Sequence, residues 1–341
     1  MKNFLEEIEC QDETLREMAR RYAAGYAPLE KFREMAKQYN RFVFVGMGSS
    51  LFASQAACTF LQRRGVCAQA SEANEFLKTQ LSTVDQDTLL VAVSQSGASR
   101  EVIELCKAYP YPQNIVTVVN NAPQPLGALG VLCLEIFAGP ELTTANKTYT
   151  NTLGVLLYMA HVICRPQESL APVTEKMLVA AAQMRAYIND AALVTRLSDF
   201  FYNAPYICFV GSAHSFSSAC QGQIITEEAG KKFSACYTTA EFLHGPIELI
   251  YHDFYVFLFD NDPAFSSECD RVISSLVDFG GKICVMTNRP LEPQENLLVI
   301  QSKIDDPVFA PLTEILPLEL ATYEMGTRRN INPGIIVRVK K

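Results

Sequence analysis

The sequence predicts an α/β fold with parallel sheets, and three observations carry that reading. Short apolar runs alternate with helical stretches along both halves: strands are expected at 42–46, 88–93, 114–119, 131–136, 206–210, 255–259, 282–286 and 297–300, and helices at 51–64, 147–164, 215–230, 265–279 and 311–325. Alternation of this kind gives parallel sheets with helices on both faces. Next, the run Thr88-Leu89-Leu90-Val91-Ala92-Val93 stops abruptly at Ser94-Gln95-Ser96-Gly97-Ala98-Ser99, and Arg100 to Cys106 then take up helical spacing. A strand that empties into a hydroxyl-rich turn and restarts as a helix is the building unit of such sheets. Finally, the unit recurs: Phe44-Val45-Gly46-Met47-Gly48-Ser49-Ser50-Leu51-Phe52 returns 165 residues later as Phe209-Val210-Gly211-Ser212-Ala213-His214-Ser215-Phe216-Ser217. A period this long marks a duplicated domain, because solenoid units repeat every 20–50 residues or so.

In chain order, residues 1–40 read as an amphipathic helical arm, 41–170 as a first α/β domain, 171–203 as a polar helical linker, 204–330 as a second α/β domain and 331–341 as a tail. A length of 341 residues exceeds what one growing core usually holds, which agrees with two domains. Hydrophobic residues make up 49% of the chain, ample for both cores. Lys and Arg total 29 against 37 Asp and Glu, a formal charge of −8, so neither a nucleic acid nor an anionic membrane is an expected partner. No apolar signal segment follows Met1-Lys2-Asn3, and no apolar run reaches membrane-spanning length. The eleven cysteines show no Cys-x-x-Cys pair and the four histidines no zinc spacing, so no metal is expected and the compartment is expected to be reducing and cytoplasmic.

Backbone N–H groups freed at a helix start would point into the same turn as three serine hydroxyls at 94, 96 and 99, which makes an anion site. The upstream turn, Met47-Gly48-Ser49-Ser50, has the same design. In an open parallel sheet ligands sit at the carboxyl ends of strands, so the two turns can converge on one phosphate of a small molecule. Ser and Gly are equally good turn and N-cap residues, so either turn alone could arise without a ligand. In the second copy Ala213 replaces Gly48 and His214 replaces Ser49, a poorer cradle, so one phosphate pocket per pair of copies is expected.

Glu228, at a helix end, and His244, in Glu241-Phe242-Leu243-His244-Gly245-Pro246, are the carboxylate and imidazole that aldose–ketose chemistry needs. Moving a proton between adjacent sugar carbons takes a base, and ring opening takes an acid. The other reading of the same residues is a solvated helix-end glutamate and a histidine capping a Gly-Pro break.

Together, Gly46-Met47-Gly48-Ser49-Ser50, Ser94-Gln95-Ser96-Gly97, Ala138-Gly139-Pro140-Glu141 and Glu241-Phe242-Leu243-His244-Gly245-Pro246 resemble the sugar isomerase (SIS) family, over residues 40–341. More narrowly, they are similar to the tandem SIS unit of glucosamine-6-phosphate synthases and fructosamine-6-phosphate deglycases. The resemblance implies two SIS domains, each a flavodoxin-like three-layer α/β/α unit. It assigns phosphate binding to Gly48, Ser49, Ser50, Ser94, Gln95, Ser96 and Ser99, and acid–base roles to Glu228 and His244. It also implies a homodimer in which His244 serves the neighbouring subunit's pocket.

Three departures from the synthase pattern matter. The chain reaches its first strand by residue 42, leaving no room for an amino-terminal glutaminase domain, so glutamine is not the expected nitrogen source. Ile225 stands where the pattern has a lysine, three residues before the glutamate. The tail, Asn332-Pro333-Gly334-Ile335-Ile336-Val337-Arg338-Val339-Lys340-Lys341, lacks the Pro-Arg-Asn context of the sugar-contacting lysine. What remains is deglycase-like: a 6-phosphorylated ketoamine, proton transfer between carbons 1 and 2, imine hydrolysis, and no metal or redox cofactor. Two alternatives stay open. One is an ammonia-using isomerase or amino-sugar-phosphate deaminase, for which Lys147, Lys231 and Lys232 are the candidate lysines. The other is a non-catalytic sugar-phosphate sensor, which would need an effector domain that 40 residues hardly accommodate.

Overall fold

A computed structural model describes residues 4–338. Lys340 and Lys341, the tail lysines considered for sugar contact, lie outside the described residues. The chain opens with helices α1 (Phe4–Glu9), α2 (Gln11–Ala23) and α3 (Ala27–Ala36). There follow β1 (Arg41–Gly46), α4 (Ser49–Gln62), β2 (Cys67–Glu72), the short α5 (Ala73–Glu75), β3 (Thr88–Val93), α6 (Arg100–Ala108), β4 (Ile115–Val119), β5 (Leu132–Glu135) and α7 (Lys147–Cys164). Helices α8 (Ala171–Ile188) and α9 (Ala191–Tyr202) lead to β6 (Tyr206–Gly211), α10 (Phe216–Glu228), β7 (Phe233–Tyr237) and α11 (Thr239–Leu243). The chain continues through β8 (Tyr255–Asp260), α12 (Ser266–Asp278), β9 (Lys282–Thr287), β10 (Leu297–Gln301), α13 (Pro311–Glu314) and α14 (Leu316–Arg328).

The ten strands form two five-stranded sheets, ordered β2-β1-β3-β4-β5 and β7-β6-β8-β9-β10, with every pairing parallel. Counted within each half, both orders are 2-1-3-4-5. The repeat seen as a nine-residue similarity therefore extends over a whole sheet topology.

Three local expectations change. β2, Cys67-Ala68-Gln69-Ala70-Ser71-Glu72, was not anticipated, because an edge strand half open to solvent needs no apolar run. Helix α4 starts at Ser49, two residues before the expected boundary, so Ser49 and Ser50 sit in its first turn and not ahead of it. The expected helix 311–325 breaks at Ile315 and resumes as α14 with Pro317 in its first turn. Proline has no N–H to give the carbonyl four residues back, at Thr313.

The chain forms two compact units that are discontinuous in sequence. One comprises residues 13–141 and 147–178 and holds the first sheet; the other comprises, among the described residues, 4–12, 142–146 and 179–338 and holds the second. In the first unit Val43, Val45, Leu90, Ala92, Ile115 and Val119 pack with Val102, Leu105 and Cys106 of α6. Alternation along a strand sends Phe42 and Phe44 to the opposite face. In the second, Cys208, Val210, Val256, Leu258, Ile283 and Val285 pack with Cys269, Val272 and Leu276 of α12. The segment 142–146 is tied into this second unit at several points. Glu7 accepts hydrogen bonds from the Leu142 N–H at 2.7 Å and from the Thr143 hydroxyl. The Gln221 amide donates to the Ala145 carbonyl at 3.0 Å. Among the described residues no helix is long and apolar enough to cross a membrane, and no disulfide links the cysteines.

Candidate functional site

In the first unit, β1 and β3 run side by side and parallel, with Val45 opposite Ala92, so the turns after Gly46 and Val93 emerge at one edge. This is where the strand order 2-1-3-4-5 reverses direction, the position at which a crevice opens beyond the carboxyl ends of the strands. All seven phosphate-site candidates, Gly48, Ser49, Ser50, Ser94, Gln95, Ser96 and Ser99, come to this edge. Gly48 precedes α4 at φ +49°, and Ser49 and Ser50 begin the helix, whose first-turn amides face the turn. The second turn is braced from within. The hydroxyls of Ser94 and Ser99 are 2.8 Å apart, the Gly97 N–H donates to the Ser94 carbonyl at 3.0 Å, and the Asn120 N–H donates to the Gln95 carbonyl at 3.0 Å. Ser94 is buried, whereas Ser96 is exposed. The Ser96 oxygen accepts from the Ala98 N–H at 3.2 Å, which leaves its own O–H to donate outward.

The equivalent turn of the second unit is closed. Ser212 shares a 2.7 Å hydrogen bond with Thr239, and the Ser215 hydroxyl donates to Glu314 at 2.7 Å. The Asn261 amide donates to the same Glu314 oxygen at 2.7 Å. Ser212, His214, Ser215 and Glu314 are all buried. The hydroxyl of the second turn's Ser215 is thus taken up by the chain's own carboxyl group. Burial raises the Glu314 pKa, opposed by hydrogen bonds from neighbours that include Ser215 and Asn261. A raised carboxyl pKa means the native state holds the proton more tightly than the unfolded chain. Its stabilising contribution is therefore fully present at acid pH and is lost as pH rises through the native pKa. Glu314→Gln keeps the accepting oxygen and cannot ionise. Its thermal midpoint is expected to vary less than that of the wild type between mildly acidic and mildly alkaline buffers, and parallel melting series check this.

Glu228 is the last residue of α10 and is half-buried; the Thr144 hydroxyl donates to its carboxylate. Next along the chain, the Lys231 ammonium donates to the Glu228 backbone carbonyl and, at 2.9 Å, to that of Ile335. Lys232 donates to the carbonyls of Phe201, Tyr202 and Ala204 at 2.8, 2.9 and 2.8 Å. Both lysines thus bind backbone carbonyl groups, and Ile225 is buried in the core. Lys147 is buried at the start of α7. Sequence reasoning missed Thr144. The only signal was the polar run Thr143-Thr144-Ala145-Asn146 between Glu141 and a helix, and nothing in it points 84 residues onward.

His244 follows α11, whose start carries a capping box between Thr238 and Glu241, and its side chain is exposed. Within one chain the structure does not bring Glu228 and His244 together. Glu228 precedes β7 at the amino edge of the second sheet, where Lys232 holds carbonyls just ahead of β6. His244 lies past the carboxyl edge, where Thr239 bonds Ser212 at the end of β6. The five residues of β7 that separate the two edges span about 16 Å.

The family model of the SIS domain matches residues 35–163. These residues are a SIS domain. All seven phosphate-site candidates fall within it. Over 326 residues the chain is 24% identical to glutamine–fructose-6-phosphate aminotransferase (isomerizing) of Thermococcus kodakarensis, covering 89% of this chain and 52% of that protein. The chain thus spans about half the length of the curated relatives it matches. Among solved structures, the C-terminal domain of glucosamine-fructose-6-phosphate aminotransferase from Francisella tularensis superposes with a TM-score of 0.88 at 19% identity, covering 98% of this chain and 99% of that one. Tagatose-6-phosphate ketose/aldose isomerase from Escherichia coli gives 0.82 at 16% identity, covering 100% and 98%. At such identities the structural likeness establishes the fold. The second sheet, outside the matched segment, repeats the strand order of the SIS domain.

Proposed function

We propose that the chain is a phosphosugar enzyme of two tandem SIS domains, 41–170 and 204–330, each a three-layer α/β/α unit, acting on a 6-phosphorylated ketoamine. The observation that carries this reading is the pair of hydroxyl-rich turns at the β1/β3 edge of the SIS domain, combined with a carboxylate held by a hydroxyl and lysines bound to carbonyls. The phosphate binds to the turns, through helix amides and serine hydroxyls and with no lysine among the site candidates. Glu228 removes a proton from carbon 1 of the ketoamine, and a proton is returned to carbon 2. The carbon–nitrogen bond becomes an imine, which water hydrolyses to an aldose 6-phosphate and a free amine. His244 acts on the ring and hydroxyl oxygens.

Coupled detection of the aldose phosphate and the amine across a panel of 6-phosphorylated ketoamines tests the activity; release of neither product from any member overturns it. For the binding site, Ser96→Ala is expected to weaken glucose 6-phosphate binding by about 1–3 kcal/mol, the loss of one hydrogen bond to a charged group. Calorimetric titration checks this, and unchanged affinity in a Ser94→Ala/Ser96→Ala double variant would remove the turn from the site.

The separation of Glu228 from His244 within one chain supports a homodimer in which each pocket takes His244 from the partner subunit. Mixing Glu228→Gln with His244→Ala, each inactive alone, is expected to restore activity in heterodimers, which hold one pocket with both intact residues. A mixture that stays inactive after demonstrated subunit exchange rules out the shared pocket.

A further inference from the structure

We propose that Thr144 is a positioning residue for Glu228, holding the carboxylate in the orientation from which it removes the carbon 1 proton. The inference rests on the reading of Glu228 as the base. Glu228 occupies an unfavourable place for an anion, the last position of α10, where the negative end of the helix dipole repels it. Lys231 offsets the helix-end charge at the backbone carbonyl and gives its protons there. Among the described residues, the side-chain donor shown to reach the carboxylate is the Thr144 hydroxyl. Thr144 is 1% exposed, so its hydroxyl has no access to bulk water and commits its proton to Glu228.

The placement of Thr144 is fixed by contacts that do not involve Glu228. Its N–H donates to the Gly334 carbonyl at 3.0 Å, and the Asn146 amide donates to its carbonyl at 3.0 Å. Glu7 and Gln221 tie down the residues on either side. A five-residue piece of chain thus leaves the SIS-domain unit, joins the unit that carries Glu228, and presents one hydroxyl to it. A carboxylate fixed by one oxygen keeps its second oxygen for the substrate, and a rigid base loses less freedom at the moment of reaction.

The test compares Thr144→Val, which keeps the shape and loses the hydroxyl, with Thr144→Ser, which keeps the hydroxyl and loses the methyl. Each is measured for turnover of a 6-phosphorylated ketoamine and for exchange of its carbon 1 hydrogen in deuterated water. Thr144→Val is expected to lower kcat about 10–100-fold with KM nearly unchanged, while Thr144→Ser stays close to wild type. A purely packing role predicts the reverse order and would overturn the proposal. Should the valine variant melt early, Thr144→Ala against Thr144→Ser gives the same contrast, since the two differ by one oxygen. If Glu228→Gln abolishes exchange while Thr144→Val retains full kcat, the role of Thr144 alone fails. If Glu228→Gln retains exchange, or the wild type shows none, the underlying reading of Glu228 fails with it.

Discussion

Glu228→Gln is expected to lower kcat by about 10²–10⁴-fold while leaving sugar-phosphate affinity nearly intact, the contribution typical of one general acid–base group. Glutamine keeps the size of the side chain and an oxygen that can accept from Thr144, so the fold around α10 has no reason to change. What it loses is the capacity to take up a proton. Binding survives because Glu228 is not among the seven candidates at the β1/β3 edge. Kinetics with a carbon-1-deuterated ketoamine phosphate, paired with glucose 6-phosphate titration, separate the two quantities. Undiminished turnover in the variant would end the proposed mechanism; lost turnover with intact binding distinguishes an enzyme from a sensor, for which turnover has no meaning.

Gly97→Ala is expected to destabilise the SIS domain by about 2–4 kcal/mol and to weaken glucose 6-phosphate binding by about tenfold or more. Two separate costs combine. Gly97 has φ +60°, where an L side chain is strained, and a Cβ added there would lie 2.4 Å from the Cβ of Gln124. Since the Gln124 Cβ is bonded directly to backbone, relief requires moving one loop or the other. The Gly97 carbonyl also accepts from the Leu126 N–H at 2.9 Å, so displacing the glycine disturbs the stretch that braces it. Gly139 supplies the control. Its φ is +67°, yet a Cβ there would meet nothing within 4 Å, so Gly139→Ala bears only the conformational cost, about 1–2 kcal/mol. Thermal melts of the two variants measure the steric part by difference. Equal losses would show that the contact with Gln124 yields freely.

Much of this arrangement is legible in the sequence, for reasons that can be stated residue by residue. The buried strands β1, β3, β4 and β8 announce themselves because a strand covered on both faces reads as a nearly continuous apolar run. β2 was not visible, because its side chains are mostly half-exposed and its place is set by pairing with β1. The serine turns could be read because their meaning is local: strand end, glycine, hydroxyls and helix start lie within a few residues of one another. The closed state of the second turn was only half readable. Ala213 and His214 showed a poorer cradle, but Glu314, whose carboxyl group takes up the Ser215 hydroxyl, lies 99 residues beyond Ser215.

By itself, then, the sequence determined the alternation of strands and helices, the duplication and the hydroxyl-rich turns, while the candidate base and imidazole were named through the resemblance to the SIS family. The first three depend on spacing along the chain, which sets periodicity and turn chemistry directly. Only the tertiary structure decided which distant groups meet. It placed the turns after Gly46 and Val93 on adjacent strands, bound Lys231 and Lys232 to carbonyls, set Glu228 and His244 at opposite edges of one sheet, and carried Thr144 into the unit that holds Glu228. The physical reason is that a hydrogen bond depends on distance in space and not along the chain. A threonine 84 residues from its carboxylate leaves no periodic trace, and only the packed core brings the two within reach.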